Sequence, residues 1–87
     1  MKFQFDPAKA KSNYKKHKVS FADAEGVFYD PLAIHMEDPF SEEERWIAIG
    51  MSNVNQIFVV VYTFRGKEIR LISVRKATQR EVKDYEG

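Results

Sequence analysis

The 87-residue chain contains no cysteine, two histidines, three prolines and four glycines. Each scarcity removes a class of protein. Without cysteine there is neither a disulfide framework nor a Cys-ligated zinc. His17 and His35 lie far apart, without the i, i+4 spacing of a zinc-binding helix, so no metal site and no cofactor are assigned. The glycines stand singly at 26, 50, 66 and 87, which excludes a Gly-rich phosphate loop. Neither histidine is near a sharp, Gly-flanked serine of the nucleophile type. The opening MKFQFDPAKAKSNYKK lacks a signal-peptide apolar segment, and nowhere do about 18 apolar residues run together. A soluble, cytoplasmic protein with no membrane association is expected.

What is present suits a single domain spanning residues 1–87 with one modest core. Aromatic residues make up 14% of the chain, seven of them Phe, enough to build that core without a metal or disulfide. Net charge is only +1, but the charges are segregated. Residues 1–20 carry six Lys and one Asp, residues 21–44 eight acids and no Lys or Arg, and residues 45–87 eight Lys or Arg against four acids. A polyanion can bind such basic ends although the total is near zero.

Local signals place the elements. Phe3 and Phe5 alternate with polar residues, as in a short strand. Asp6-Pro7 opens a first, basic helix, since Asp caps well and Pro is tolerated where the N–H has no intrahelical partner. Ser20, with Asp23 three residues on, opens a second helix on which Phe21, Ala24 and Phe28 form the core stripe with Val27 beside it; Tyr29-Asp30-Pro31 ends it. Four strands follow: LAIHMED, RWIAIGM, QIFVVVYTF and EIRLISV. Thr78 and Glu81 form a capping box that opens a last helix. The expected fold is α+β, a helical hairpin followed by a four-stranded antiparallel sheet and a C-terminal helix.

Gly66-Lys67 suits a type II′ turn, which puts Arg65 opposite Glu68. In that register Phe58, Val60, Tyr62 and Phe64 share a face with Ile69, Leu71, Ser73 and Arg75, while Arg65 and Arg70 lie on the other face with Ile72 and Val74. A bulge would flip one strand's assignments.

The cations on or beside strands, Arg45, Arg65, Arg70, Arg75, Lys76 and Arg80, are held by a rigid backbone, and paired cations at a strand end suit a phosphate. RNA cleavage needs little more, because the substrate supplies a 2′-hydroxyl nucleophile and the protein has to stabilise phosphorane charge and move protons. The structural alternatives are an ion pair between Arg75 and an acid of segment 37–44, and a core position for Trp46.

The blocks FDPAKAKSNYKKHKVSFADAEGVFYDP, ERWIAIGMS, VVYTFRG, IRLISVRKAT and EVKDYE, in this order over residues 3–86, resemble the BrnT family of toxins from bacterial type II toxin–antitoxin pairs. The resemblance implies a RelE-like fold, RNA cleavage that arrests growth, and a BrnA-like antitoxin with a ribbon-helix-helix domain. By the same analogy the pair forms a heterotetramer, and operator DNA is reached only through the antitoxin. Lys18 stands where the family usually has Gly, and SNVNQ lacks the family's common turn Gly, a role open to Asn53 or Asn55.

Within the matching blocks, side-chain chemistry suggests the roles. Arg65 and Arg75, with Lys76 alongside, suit phosphate and transition-state charge, and Glu44 or His17 suits proton transfer. Trp46 and Tyr62 suit base contacts, with Lys16, Arg45 and Arg70 supporting RNA binding. The competing reading is a non-catalytic module that only binds an antitoxin or RNA.

Overall fold

The helices begin at the capping side chains. In a computed structural model that describes residues 1–87, Asp6 accepts the Ala8 N–H at 2.9 Å and starts α1, Pro7–His17. Ser20 accepts from Asp23 at 3.1 Å and starts α2, Phe21–Ala24. The full Thr78/Glu81 capping box starts α3, Gln79–Glu86. Lys18 ends α1 with φ 61°, its N–H donating to the Tyr14 carbonyl at 2.8 Å, so a residue with a Cβ takes the left-handed position that favours glycine.

The second helix is shorter than its stripe predicts. After Ala24 the chain tightens into a 3₁₀ helix, Glu25–Tyr29. The Asp23 carbonyl accepts the Asn53 N–H at 2.9 Å instead of continuing the α-helical ladder, and Gly26 lies so close to Asn53 that a Cβ would collide with it. Burial consequently follows a spacing of three, through Phe21, Ala24 and Val27, and Phe28 is only partly buried.

The strands are β1 (Phe3–Gln4), β2 (Ile34–Glu37), β3 (Trp46–Met51), β4 (Ile57–Arg65) and β5 (Glu68–Lys76). They form one five-stranded sheet in the order β1-β5-β4-β3-β2. The expected RelE-like sheet of four antiparallel strands is therefore corrected to a mixed sheet, because β1 joins β5 in parallel. Two alternating residues signal a strand but do not identify its partner. β5 offers a free outer edge beside β1, and the Ile69 N–H donates to the Lys2 carbonyl at 2.9 Å.

Gly66 has φ +61° and Lys67 does not share it, as a type II′ turn requires, and Arg65 pairs with Glu68. That register holds as far as Tyr62 opposite Leu71, then skips Ile72, so that Val61 pairs with Ser73, Val60 with Val74 and Val59 with Arg75. This mid-strand bulge corrects the face assignment. Val74 enters the core with Phe58, Val60, Tyr62, Ile69 and Leu71, against Val19, Phe21, Ala24 and Val27 from the helical layer, while Ser73 and Arg75 turn to the opposite face.

Asn13 secures the strand beyond the bulge. β1 is too short to reach this part of the β5 edge, and the Asn13 amide takes its place. Its Nδ2 donates to the Val74 carbonyl at 2.8 Å and its Oδ1 accepts the Val74 N–H at 3.1 Å, with Asn13 itself only 8% exposed. Replacing Asn13 by Ala leaves both Val74 groups unpaired and is expected to lower unfolding free energy by about 2–3 kcal/mol in urea titration. Lys18→Gly should act in the opposite sense, raising stability by about 1 kcal/mol in the same measurement by relieving the left-handed backbone.

Candidate functional site on the open sheet face

The bulge decides which arginines stand together. With five intervening steps and strict alternation, Arg70 and Arg75 would point to opposite faces; skipping Ile72 puts Arg70, Ser73 and Arg75 on one face, with Thr63 and Arg65 from β4. This is the face that α1, α2 and the 3₁₀ helix leave uncovered, since their apolar residues pack on the Phe58–Val60–Tyr62 side.

The open face has two cationic ends. At the end nearest the β4–β5 turn, Arg65 and Arg70 are diagonal neighbours about 7–8 Å apart. Neither has a carboxylate within 4.0 Å, and Arg70 Nη1 donates to Gln4 Oε1 at 3.0 Å. Arg45 joins them. It extends β3 by one residue, its carbonyl accepting the Asp38 N–H at 2.9 Å, and alternation from Trp46 puts its side chain on the open face. Its Nε is buried without a partner, and its only acid is the exposed Glu43 at 3.5 Å. Glu44 is held beside this end by its carbonyl, which accepts the Thr63 hydroxyl at 2.7 Å, leaving its carboxylate exposed.

At the other end, about 13 Å from Arg70 along the strand, Arg75 forms a two-pronged ion pair with Glu81 at 2.7 and 2.8 Å. Its partner is thus an acid of α3 and not of segment 37–44. α3 crosses this end of the face, packing on β3, where Ile49 is buried beside its β4 partner Val59. Its far end is fastened by the Tyr85 hydroxyl, which donates to Asp30 Oδ2 at 2.6 Å. Asp30 also accepts the N–H groups of Met51 at 2.8 Å and Leu32 at 2.9 Å. Burial raises its carboxyl, but these three hydrogen bonds outweigh that and hold it below the ordinary value.

Several expected site residues lie elsewhere. Tyr62 is 4% exposed in the core, its ring against Phe28 and its hydroxyl 2.9 Å from His35 Nδ1, and burial pushes its phenol up; it is a core residue, not a base contact. Trp46 is half-buried on the same helical side, edge-on to Phe64, and so lies across the sheet from the arginines. Lys16 and His17 end α1, whose Ala10 packs on the helix-side core, so they stand across the sheet from the arginines. Lys76, paired with Phe58, alternates away from Arg75 and lines a crevice of about 310 Å³ with Ile57, Ala77 and Val82. Arg65 and Arg75 are about 20 Å apart, so they cannot act on one phosphate.

With this geometry, comparison with known proteins becomes specific. The family model for the ribonuclease toxin BrnT of type II toxin–antitoxin systems matches residues 5–81. The chain belongs to the BrnT family. The crystal structure of the Brucella abortus ribonuclease toxin BrnT is similar with a TM-score of 0.70 and 31% identity, covering 91% of this chain and 99% of that one. Curated proteins give no match. A ribonuclease toxin of a type II system acts on RNA and has an antitoxin as partner.

For a BrnT toxin, two acids of the open face stand out that sequence reasoning did not place in the site. Glu68 lies opposite Arg65, as the Gly66-Lys67 turn predicts, and two residues from Arg70. Glu81 reads locally as a helix cap, and six residues of separation give no hint of its ion pair. Hydrogen bonds from the Arg75 guanidinium outweigh desolvation and, helped by Thr78, bring the Glu81 carboxyl down from 4.5 to about 2. A depressed folded-state value stabilises the fold above the unfolded value and is lost as pH falls through the folded one. The gap in melting temperature between wild type and Glu81→Gln is therefore expected to be full at neutral pH and to shrink from 4.5 towards about 2, measured by thermal unfolding across that range.

Proposed function

We propose that the open face cleaves RNA, with strand-borne arginines gripping the phosphate and the substrate's 2′-hydroxyl as nucleophile. The observation that carries this reading is the gathering of Arg45, Arg65 and Arg70 at one end of a face the helical layer leaves bare, with no close acid on Arg65 or Arg70. Guanidiniums on rigid strands are preorganised for the charge that develops on a phosphorane, and such donors act without reorganising during the reaction.

In the proposed reaction the 2′-oxygen attacks the adjacent phosphorus as the bond to the 5′-oxygen breaks, leaving a 2′,3′-cyclic phosphate and a 5′-hydroxyl. Glu68, beside both arginines, takes the 2′ proton, and solvent water gives a proton to the departing 5′-oxygen; Arg65 and Arg70 hold the non-bridging oxygens. Glu44 supports this end through Thr63. Protein cations supply the charge stabilisation, and no step calls for a metal. In the cytoplasm a BrnA-like ribbon-helix-helix antitoxin neutralises the toxin by laying an acidic segment on the same cations, and together they repress their operon as a heterotetramer.

Partner-free protein is expected to cleave single-stranded RNA in EDTA, with Arg70→Ala lowering the rate about 100-fold while its melting temperature stays near wild type. Intact RNA after incubation with folded wild-type protein would sink the ribonuclease reading and leave a binding module.

A further inference from the structure

The contacts of Arg75 divide its guanidinium into an occupied and an open side. Nη1 donates to Glu81 Oε1 at 2.7 Å and to the Lys76 carbonyl at 3.3 Å, and Nη2 donates to Glu81 Oε2 at 2.8 Å. Glu81 and Lys76 thus take the end of the group. The side fork, made by Nε–H and the second Nη2–H, has no protein partner. A fork of that kind matches two oxygens of a phosphate.

Glu81 is itself held from two directions. Its Oε1 accepts the Thr78 N–H at 2.8 Å in the capping box, and α3 is tied at its other end by Tyr85 to Asp30 at 2.6 Å. The carboxylate is therefore a fixed anchor on an otherwise lightly attached helix with no fully buried residue. Arg75 has four flexible side-chain torsions, and an anchor on one side of its head fixes where the other side points.

We propose that Glu81 is a positioning residue: by holding the end of the Arg75 guanidinium it aims the free Nε/Nη2 fork across the open face, beside Ser73, at a second phosphate of bound RNA. This rests on the reading that the open face binds RNA. The phosphate lies about 13 Å from the Arg70 end, so the substrate spans the face from the β4–β5 turn to α3.

Positioning and plain electrostatics predict opposite signs. Removing the Glu81 charge makes the face more cationic and by itself tightens RNA, whereas loss of aim weakens it. Glu81→Gln is suited to the test because Gln also fits the capping box. The probe is a single-stranded 2′-O-methyl oligonucleotide of mixed sequence, which lacks the nucleophile, so its affinity does not depend on cleavage. At one fixed salt concentration Glu81→Gln is expected to weaken binding about tenfold in the wild-type background and not at all in Arg75→Ala, which is itself weakened. Unchanged or tighter binding by Glu81→Gln overturns the proposal, as does an equal loss in both backgrounds or full affinity in Arg75→Ala. Wild-type protein that binds this probe with the expected double-mutant pattern but leaves unmodified RNA intact overturns cleavage and keeps the positioning role.

Discussion

One unpaired residue in β5 determines both faces of the sheet. Because Ile72 has no partner on β4, Val74 falls into the core and Arg75 falls outside it. Every contact the helical layer makes with the upper half of β5 depends on this shift. The bulge is locked by Asn13, whose amide reproduces with two hydrogen bonds what a neighbouring strand would give Val74. Buried backbone groups must be paired, and β1 ends too early to pair this one. The edge is thus completed by a side chain, and the position of α1 is fixed with it.

The same shift organises the charge. Fourteen Lys and Arg and thirteen acids nearly cancel, yet only two ion pairs form, one of them a surface contact of 3.5 Å. Of the strand arginines, Arg65 and Arg70 are left without a close acid, while Arg75 is committed to Glu81. The two ends of the open face differ for that reason: one offers Arg65 and Arg70 without a close carboxylate, the other a guanidinium paired with Glu81. The family is one of ribonuclease toxins, whose target is RNA.

Signals confined to one turn of chain were legible. Asp6-Pro7, Ser20 and Thr78/Glu81 act through N–H groups two or three residues away, and Gly66 needs only its own φ, so each could be read from its neighbours. The bulge had no such mark, for LISV contains neither Gly nor Pro and Ile72 is as suited to a regular strand as to an irregular one. What makes it favourable is Asn13, 61 residues from Val74. The parallel pairing of β1 and the shortened α2 have the same kind of cause, an edge or a carbonyl claimed by a distant segment. Strand cations can be picked out from the sequence as a group, but the face of Arg75 and its distance from the others depend on the bulge. Tyr62 was attractive as a base contact only while its burial in the core was unknown, and Trp46 lies on that same side of the sheet.

Folding and function are consequently difficult to separate in β5. Val74 and Arg75 are consecutive, one in the core and one on the open face, and a change that slips the bulge exchanges their surroundings. An apolar Val74 would then meet water and a guanidinium would enter the core, where an unpaired charge is strongly unfavourable. The register is therefore protected by the same burial that stabilises the domain. The anchor of Arg75, in contrast, lies on α3, which is attached mainly by polar contacts at Glu81 and Tyr85. Local opening of so lightly packed a helix requires less free energy than unfolding the sheet. Opening of α3 would therefore release Arg75 from its anchor while the sheet stays folded.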